Sequence, residues 1–150
     1  MAQTLTCLLI HIIFSTKDRI DLIDPSIEPD LYAYIGGIAR REECVLIAAN
    51  GTANHVHLLV SLSKNIAVSR LLMHLKKDSS RWINDRDPGK AAFGWQDGYA
   101  AFSVAASQVD SVKTYIAKQK EHHRQISYQD ELRNVLKKYG VAYDEKYVWT

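Results

Sequence analysis

No apolar run in these 150 residues approaches the ~20 that a membrane-crossing helix needs. The longest, Cys7 to Phe14, is interrupted by His11 and lacks the basic start and small-residue cleavage site of a signal peptide. The expected location is therefore the cytoplasm. Cysteine is scarce: Cys7 and Cys44 are the only two, and neither shows the paired spacing of a zinc site or a disulfide framework. Both sit in apolar segments and read as small core residues. Glycine-rich phosphate loops are absent, so no nucleotide cofactor is expected. Charge of one sign is lacking too. With 19 basic against 17 acidic side chains the net charge is +2, which neither demands nor excludes a nucleic acid partner. There is no internal repeat, low-complexity stretch or linker, and the length suits one domain spanning 1–150.

What the sequence does contain is a clear alternation of patterns. Leu5 to Ser15 is short and β-branched, with the length of a strand buried on both faces. Pro29 opens a helix carrying Leu31, Ile35 and Ile38 on one stripe, with Gly36 and Gly37 inside it. Cys44 to Ala49 is strand-like, Asn50-Gly51 is a turn signal, and His55 to Leu62 is the next strand. Val56, Leu58, Val60 and Leu62 then share one face, predicted to be the core face, and His55, His57, Leu59 and Ser61 share the other. From Ile66 to about Asn84 the pattern is an amphipathic helix with a basic stripe of Arg70, Lys77 and Arg81. Asp87-Pro88-Gly89 stops it. An aromatic loop, Phe93 to Tyr99, leads to a strand at Ala101 to Ala106. Ser107 with Asp110, and Ser127 with Asp130, resemble capping boxes for a helix from Val109 to about Gln125 and a last helix ending at Gly140. The order predicts an α+β fold: a ferredoxin-like or RRM-like antiparallel sheet, helices on one face, and extra C-terminal helices.

Two constellations could carry chemistry. His55 and His57 stand on one strand face, roughly 6 to 7 Å apart at their α-carbons, close enough to share a metal ion. Hydrogen-bonded, partly buried histidines are the structural alternative. Tyr115 and Gln119, four apart, share the flank of a helix with His122, beside a core stripe of Val109, Val112 and Ile116. A packed, hydrogen-bonded tyrosine is the alternative there. His123 projects with the core stripe, and it reads as structural together with His11 and His74.

Taken in order, HVHLLV, LKKDSSRW, WQDGYAAFSV and YIAKQKEHH, preceded by IHIIFSTKDR, resemble the single-tyrosine transposases of the HUH endonuclease superfamily. The resemblance is to the insertion sequence 200/605 type and its repeat-associated relatives, and it covers nearly the whole chain. It implies that His55, His57 and Gln119 are metal ligands and that Tyr115 is the nucleophile. It also implies single-stranded DNA with hairpin or palindromic ends as substrate, a covalent 5′-phosphotyrosine intermediate, and a homodimer whose sites are completed in trans. Where the family commonly has an aspartate before the first histidine, this chain has Asn54. Two imidazoles and an amide oxygen, with no thiolate, suit Mg²⁺ or Mn²⁺ better than structural zinc. A phenol with an ordinary pKa near 10 needs local positive charge, for which Lys113, Lys118 and the ion are available, with His122 a further accessory group. Arg70, Lys76, Lys77 and Arg81 are candidates for phosphate contacts, and Trp95 and Tyr99 for base stacking.

Three other readings stay open. A ferredoxin-like sheet can bind single-stranded RNA or DNA on an open face without catalysis, although histidines stand here where central-strand aromatics would stack bases. A metal-dependent phosphodiesterase could use water instead of tyrosine. A domesticated relative could process chromosomal palindromes.

Overall fold

The computed structural model describes residues 2–90 and 92–150. Four strands, β1 (Leu9–Ser15), β2 (Val45–Thr52), β3 (His55–Ser61) and β4 (Ala100–Val104), form one antiparallel sheet in the order β2-β3-β1-β4. Helix α1 (Glu28–Arg41) connects β1 to β2, and α2 (Val68–Arg86) connects β3 to β4. This is the predicted split βαβ arrangement. Three further helices follow: α3 (Val109–Ala117), α4 (Gln119–His122) and α5 (Tyr128–Tyr139). Among the described residues no helix is long and apolar enough to cross a membrane.

Strand alternation divides the core between the two faces of the sheet. Ile12 and Phe14 of β1 and Val56, Leu58 and Val60 of β3 pack with Leu31, Ile35 and Ile38 of α1 and with Leu71, Leu72 and Leu75 of α2. On the opposite face, Ile13 and Phe102 pack with Tyr128, Leu132 and Leu136 of α5. The extra helices therefore cover the second face, and His55 and His57 are fully buried rather than half-exposed.

Several boundaries differ from the sequence pattern, each for a local reason. Pairing begins at Leu9, where β1 meets Ser61 and Val104, so Leu5 and Cys7 lie outside the sheet and are exposed; Cys7 is not a core residue. The β2–β3 turn falls at Ala53–Asn54, since Thr52 pairs with His55, and Asn50-Gly51 lies within β2. Gly51 is needed there because a Cβ would stand 2.1 Å from the His55 carbonyl oxygen and 2.9 Å from the Val56 α-carbon. The Val109–Gln125 helix is broken at Lys118 (φ −96°, ψ 13°). Asn50 of β2 holds this break: its side-chain amide donates to the carbonyls of Ile116 and Ala117 at 3.0 and 3.2 Å, capping α3 from the sheet. Ser107 makes no capping bond, and a 3₁₀ turn at Ala106–Gln108 precedes α3 instead. Ser127 does cap α5, accepting from the Asp130 amide, and Gly140 closes it in the left-handed conformation.

Gly51→Ala is expected to lower stability by about 1–3 kcal/mol, since backbone rather than a flexible side chain must move. Urea denaturation would show it, and an unchanged midpoint would mean that β2 and β3 are not held this closely.

Candidate metal and tyrosine site

The second face of the sheet carries a buried polar cluster built by five elements. β3 contributes His55 and His57; β1 contributes His11, whose Nε2 lies 2.9 Å from His57 Nδ1. The broken helix supplies Tyr115 from α3, Gln119 from α4 and His123 just after it. α5 supplies Glu131, buried beside Leu132. One imidazole nitrogen from each of His55, His57 and His123 and one Glu131 oxygen all lie within 4.8 Å of one another. This group has the donor types to hold a metal ion.

The hydrogen bonds around the cluster fix which atoms face its centre. His55 Nδ1 lies 2.9 Å from Asn54 Oδ1, an acceptor, so Nδ1 carries the proton and Nε2 turns a lone pair inward. The amide oxygen of Asn54 thus supplies the acceptor that a carboxylate would give at this position. His123 Nδ1 donates to the Ile126 carbonyl at 2.8 Å, which aims His123 Nε2 inward as well. The Gln119 amide nitrogen donates to Glu131 Oε2 at 2.9 Å, so its oxygen, Oε1, faces His55 Nε2 at 3.2 Å and His123 Nε2 at 3.1 Å. Glu131 Oε1 is 3.0 Å from His123 Nε2, 2.9 Å from His57 Nε2 and 3.6 Å from His55 Nε2. Lone pairs of His55, His123, Gln119 and Glu131 therefore converge, and the one neutral group placed to donate among them is His57, whose Nε2 faces Glu131 while its Nδ1 faces His11 Nε2. Such a centre calls for a cation, either an extra proton or a metal ion. The 2.9–3.6 Å separations that Glu131 Oε1 and Gln119 Oε1 make with the imidazoles are near the roughly 3.0–3.5 Å between donors sharing one ion, and the group as a whole, within 4.8 Å, would draw together around it.

The electrostatics agree. Burial holds the His57 imidazole neutral, lowering its pKa to about 4 despite the Glu131 carboxylate, and burial with the neighbouring His57 lowers His11 to about 3. Neutral imidazole is the form that binds metal. For Glu131 burial favours the neutral acid, but the surrounding imidazoles of His123, His55 and His57 outweigh it and hold the carboxyl below its ordinary value, ionised. The same carboxylate lifts His123 above its ordinary value against the effect of burial. Tyr115 donates its hydroxyl to Glu131 Oε2 at 2.5 Å; its pKa is raised, first by burial and then by this bond.

The sequence pattern singled out His55, His57, Tyr115 and Gln119, and the fold brings all four to one place within a single chain. His122 lies against the Tyr115 ring, with centroids 5.0 Å apart, at the wall of a cleft of about 820 Å³ that also meets His11, Glu131, Asn134 and Lys138. Lys113 and Lys118 are exposed. Two of the DNA-contact candidates serve the fold instead. Trp95 is buried, edge-on to Phe14 and Phe93 with centroids 4.9 and 4.6 Å away, and its indole nitrogen donates to Ser79 Oγ; its faces are not free for a base. The Lys76 ammonium donates to the carbonyls of Gln96, Asp97 and Gly98, and burial lowers its pKa to about 8. Arg70, Lys77, Arg81 and Tyr99 are exposed, the first three on α2, across the sheet from the histidines.

Three cluster members lie outside that set: the sequence pattern reads His11 and His123 as structural and does not single out Glu131. The His123 expectation assumed an unbroken helix, and the break at Lys118 changes its direction. His11 interrupts an apolar strand, and Glu131 sits within the apolar stripe of Tyr128, Leu132 and Leu136. A charge at such a position needs a buried partner, which was the available signal.

The fold and this cluster define a class before any comparison does: an α+β protein with a buried His/Glu pocket beside a tyrosine. Residues 4–119 match the family described as IS200-like transposase, and the chain belongs to that family. Among solved structures it resembles a candidate transposase of Deinococcus radiodurans R1 (TM-score 0.62, 21% identity, covering 79% of this chain and 95% of that one). It also resembles a REP-associated tyrosine transposase bound to a REP hairpin (TM-score 0.61, 13% identity, 84% and 76%). No curated protein matches its sequence. The family match ends at Gln119, so His123 and Glu131 lie beyond it.

With the metal-free protein, acidification should be destabilising. Folded His11 and His57 titrate at about 3 and about 4, against 6.5 ordinarily, so the unfolded chain binds more protons in between. Their contribution is present above 6.5 and is lost as pH falls through about 4; the raised His123 opposes it as one group against two. Urea midpoints should therefore be lower at about pH 5 than at about pH 7. Equal midpoints would show that these imidazoles are not held neutral.

Proposed function

We propose that the chain is a metal-dependent transposase that cuts and rejoins single-stranded DNA, with Tyr115 as nucleophile and His55, His57 and Gln119 as metal ligands. One observation carries the reading: ligand atoms of His55, His57, Gln119 and His123 gather at one buried point around Glu131, whose carboxylate also holds the Tyr115 hydroxyl. A bound Mg²⁺ or Mn²⁺ would polarise the scissile phosphate and neutralise its charge. The Tyr115 oxygen attacks phosphorus and the bond to the 3′ oxygen breaks. The products are a 5′-phosphotyrosine and a 3′-hydroxyl, the phenol's proton being balanced by the one the leaving oxygen takes up. Reversal by another 3′-hydroxyl rejoins strands without a nucleotide cofactor.

The hairpin in the REP-associated structure supports DNA with hairpin or palindromic ends as substrate. Exposed Arg70, Lys77 and Arg81, across the sheet from the cluster, would hold phosphates away from the cut, with Tyr99 available to stack on a base. The resemblance also favours a homodimer; completion in trans would require copies to exchange the tyrosine helix, since one chain already brings Tyr115 to the cluster. Such a protein would work in the cytoplasm beside the nucleoid, in one continuous domain over 1–150. A non-catalytic module that binds strands on an open sheet is disfavoured, because α3 to α5 cover that face.

Mixing the protein with Mn²⁺ and single-stranded oligonucleotides that form hairpins should give an SDS-stable protein–DNA adduct, lost on chelation and in Tyr115→Phe. Cleavage that persists in Tyr115→Phe would identify a water-using phosphodiesterase instead. Equal cutting of duplex would defeat the single-strand assignment.

A further inference from the structure

Glu131 lies outside the family match and outside the ligand set that the resemblance implies, yet it makes more contacts to the site than any other side chain. Its two oxygens divide the work. Oε1 faces the imidazoles, at 2.9 Å from His57 and 3.0 Å from His123. Oε2 accepts from the Tyr115 hydroxyl and from the Gln119 amide nitrogen. The second of these bonds sets the flip of Gln119, because without it the amide could present nitrogen rather than oxygen to the cluster. Nothing in the packing of α5 requires a charge here; its neighbours Tyr128, Leu132 and Leu136 belong to an apolar core.

We propose that Glu131 is a catalytic residue of this site, joining His55, His57 and His123 as a metal ligand through Oε1 and docking the Tyr115 phenol through Oε2. Helix α5 then belongs to the reactive centre and ties nucleophile and ion to one carboxylate. The donor set becomes three imidazoles, one carboxylate and the Gln119 oxygen, which favours Mn²⁺ over Mg²⁺, an ion that prefers all-oxygen surroundings and keeps its waters. The inference rests on the metal-dependent tyrosine reading, but metal binding can be measured without any DNA.

The test uses the full chain, with Mn²⁺ and Mg²⁺ titrated calorimetrically into wild type, Glu131→Gln, Glu131→Asp and Tyr115→Phe, and with thermal melts to establish folding. Glu131→Gln should lose about tenfold or more in Mn²⁺ affinity, Tyr115→Phe, which keeps every ligand and loses one bond to Oε2, should lose less than Glu131→Gln, and Mg²⁺ should bind wild type more weakly than Mn²⁺. If the glutamine variant does not fold, Glu131→Asp, which keeps the carboxylate one carbon shorter, should fold and bind Mn²⁺ with intermediate affinity. At saturating Mn²⁺ the rate of adduct formation by the folded variant should remain at least about tenfold below wild type, because the phenol is no longer docked. Wild-type Mn²⁺ affinity in both Glu131 variants overturns the ligand role, and a full rate at saturating Mn²⁺ overturns the docking role. A wild type that binds Mn²⁺ through Glu131 but never forms an adduct defeats the tyrosine reading and leaves the ligand role standing. A wild type that binds no divalent ion defeats both.

Discussion

A carboxylate buried among three imidazoles is the constraint on which this structure turns. Removing Glu131 from water is unfavourable unless compensated, and compensation comes only if β3, the segment after α4 and α5 all arrive at one point. The bonds that satisfy it also fix the atoms of the site: Gln119 turns its oxygen inward, His123 its Nε2, and Tyr115 its hydroxyl. Stability and chemistry thus draw on the same contacts. Such an arrangement, half-satisfied by protons alone, has the character of a site shaped for an ion.

The scaffold explains how these groups are held. His55 and His57 alternate with Val56 and Leu58 on β3, so the apolar residues anchor the strand in one core while the imidazoles enter the other layer. Gly51 lets β2 approach the His55 backbone, and Asn50, beside it, ends α3 by binding its last carbonyls. Lys120 donates back to the Asn50 side chain and the Gly51 carbonyl, so the turn of chain carrying Gln119 is fastened to the sheet edge from both sides. The break at Lys118 is therefore the device that separates the direction of Tyr115 from that of Gln119 and His123. In an uninterrupted helix, residue 119 would stand about 6 Å along the axis from 115 on the same flank, and 123 would turn away onto the core stripe. Breaking it lets three side chains converge.

The element order, the two faces of β3 and the tyrosine helix were legible in the sequence because they depend on local periodicity. Alternation in HVHLLVSL assigned the histidines to one face, and the four-residue spacing of Tyr115 and Gln119 assigned them to one side of a helix. Those patterns bind a residue only to its neighbours in the chain. Turn signals were less dependable: Asn50-Gly51 looked like a hairpin and is strand, because the steric demand of the paired His55 backbone, rather than turn geometry, selects the glycine. Trp95 and Lys76 looked like ligand contacts and instead close the core and the loop after it, since exposure depends on what the rest of the chain covers.

Local periodicity was enough to place two imidazoles on a ferredoxin-like sheet and a phenol and an amide on a later helix, since periods of two and of 3.6 residues settle faces. That α5 closes over that face, that His123 turns inward after a broken helix, and that Glu131 meets all of them came from long-range packing. Those outcomes depend on residues 64 to 76 positions apart along the chain, such as His55 with Gln119 and with Glu131, reaching contact. No local pattern records such a distance; it follows from how the sheet and the last helices share one buried layer.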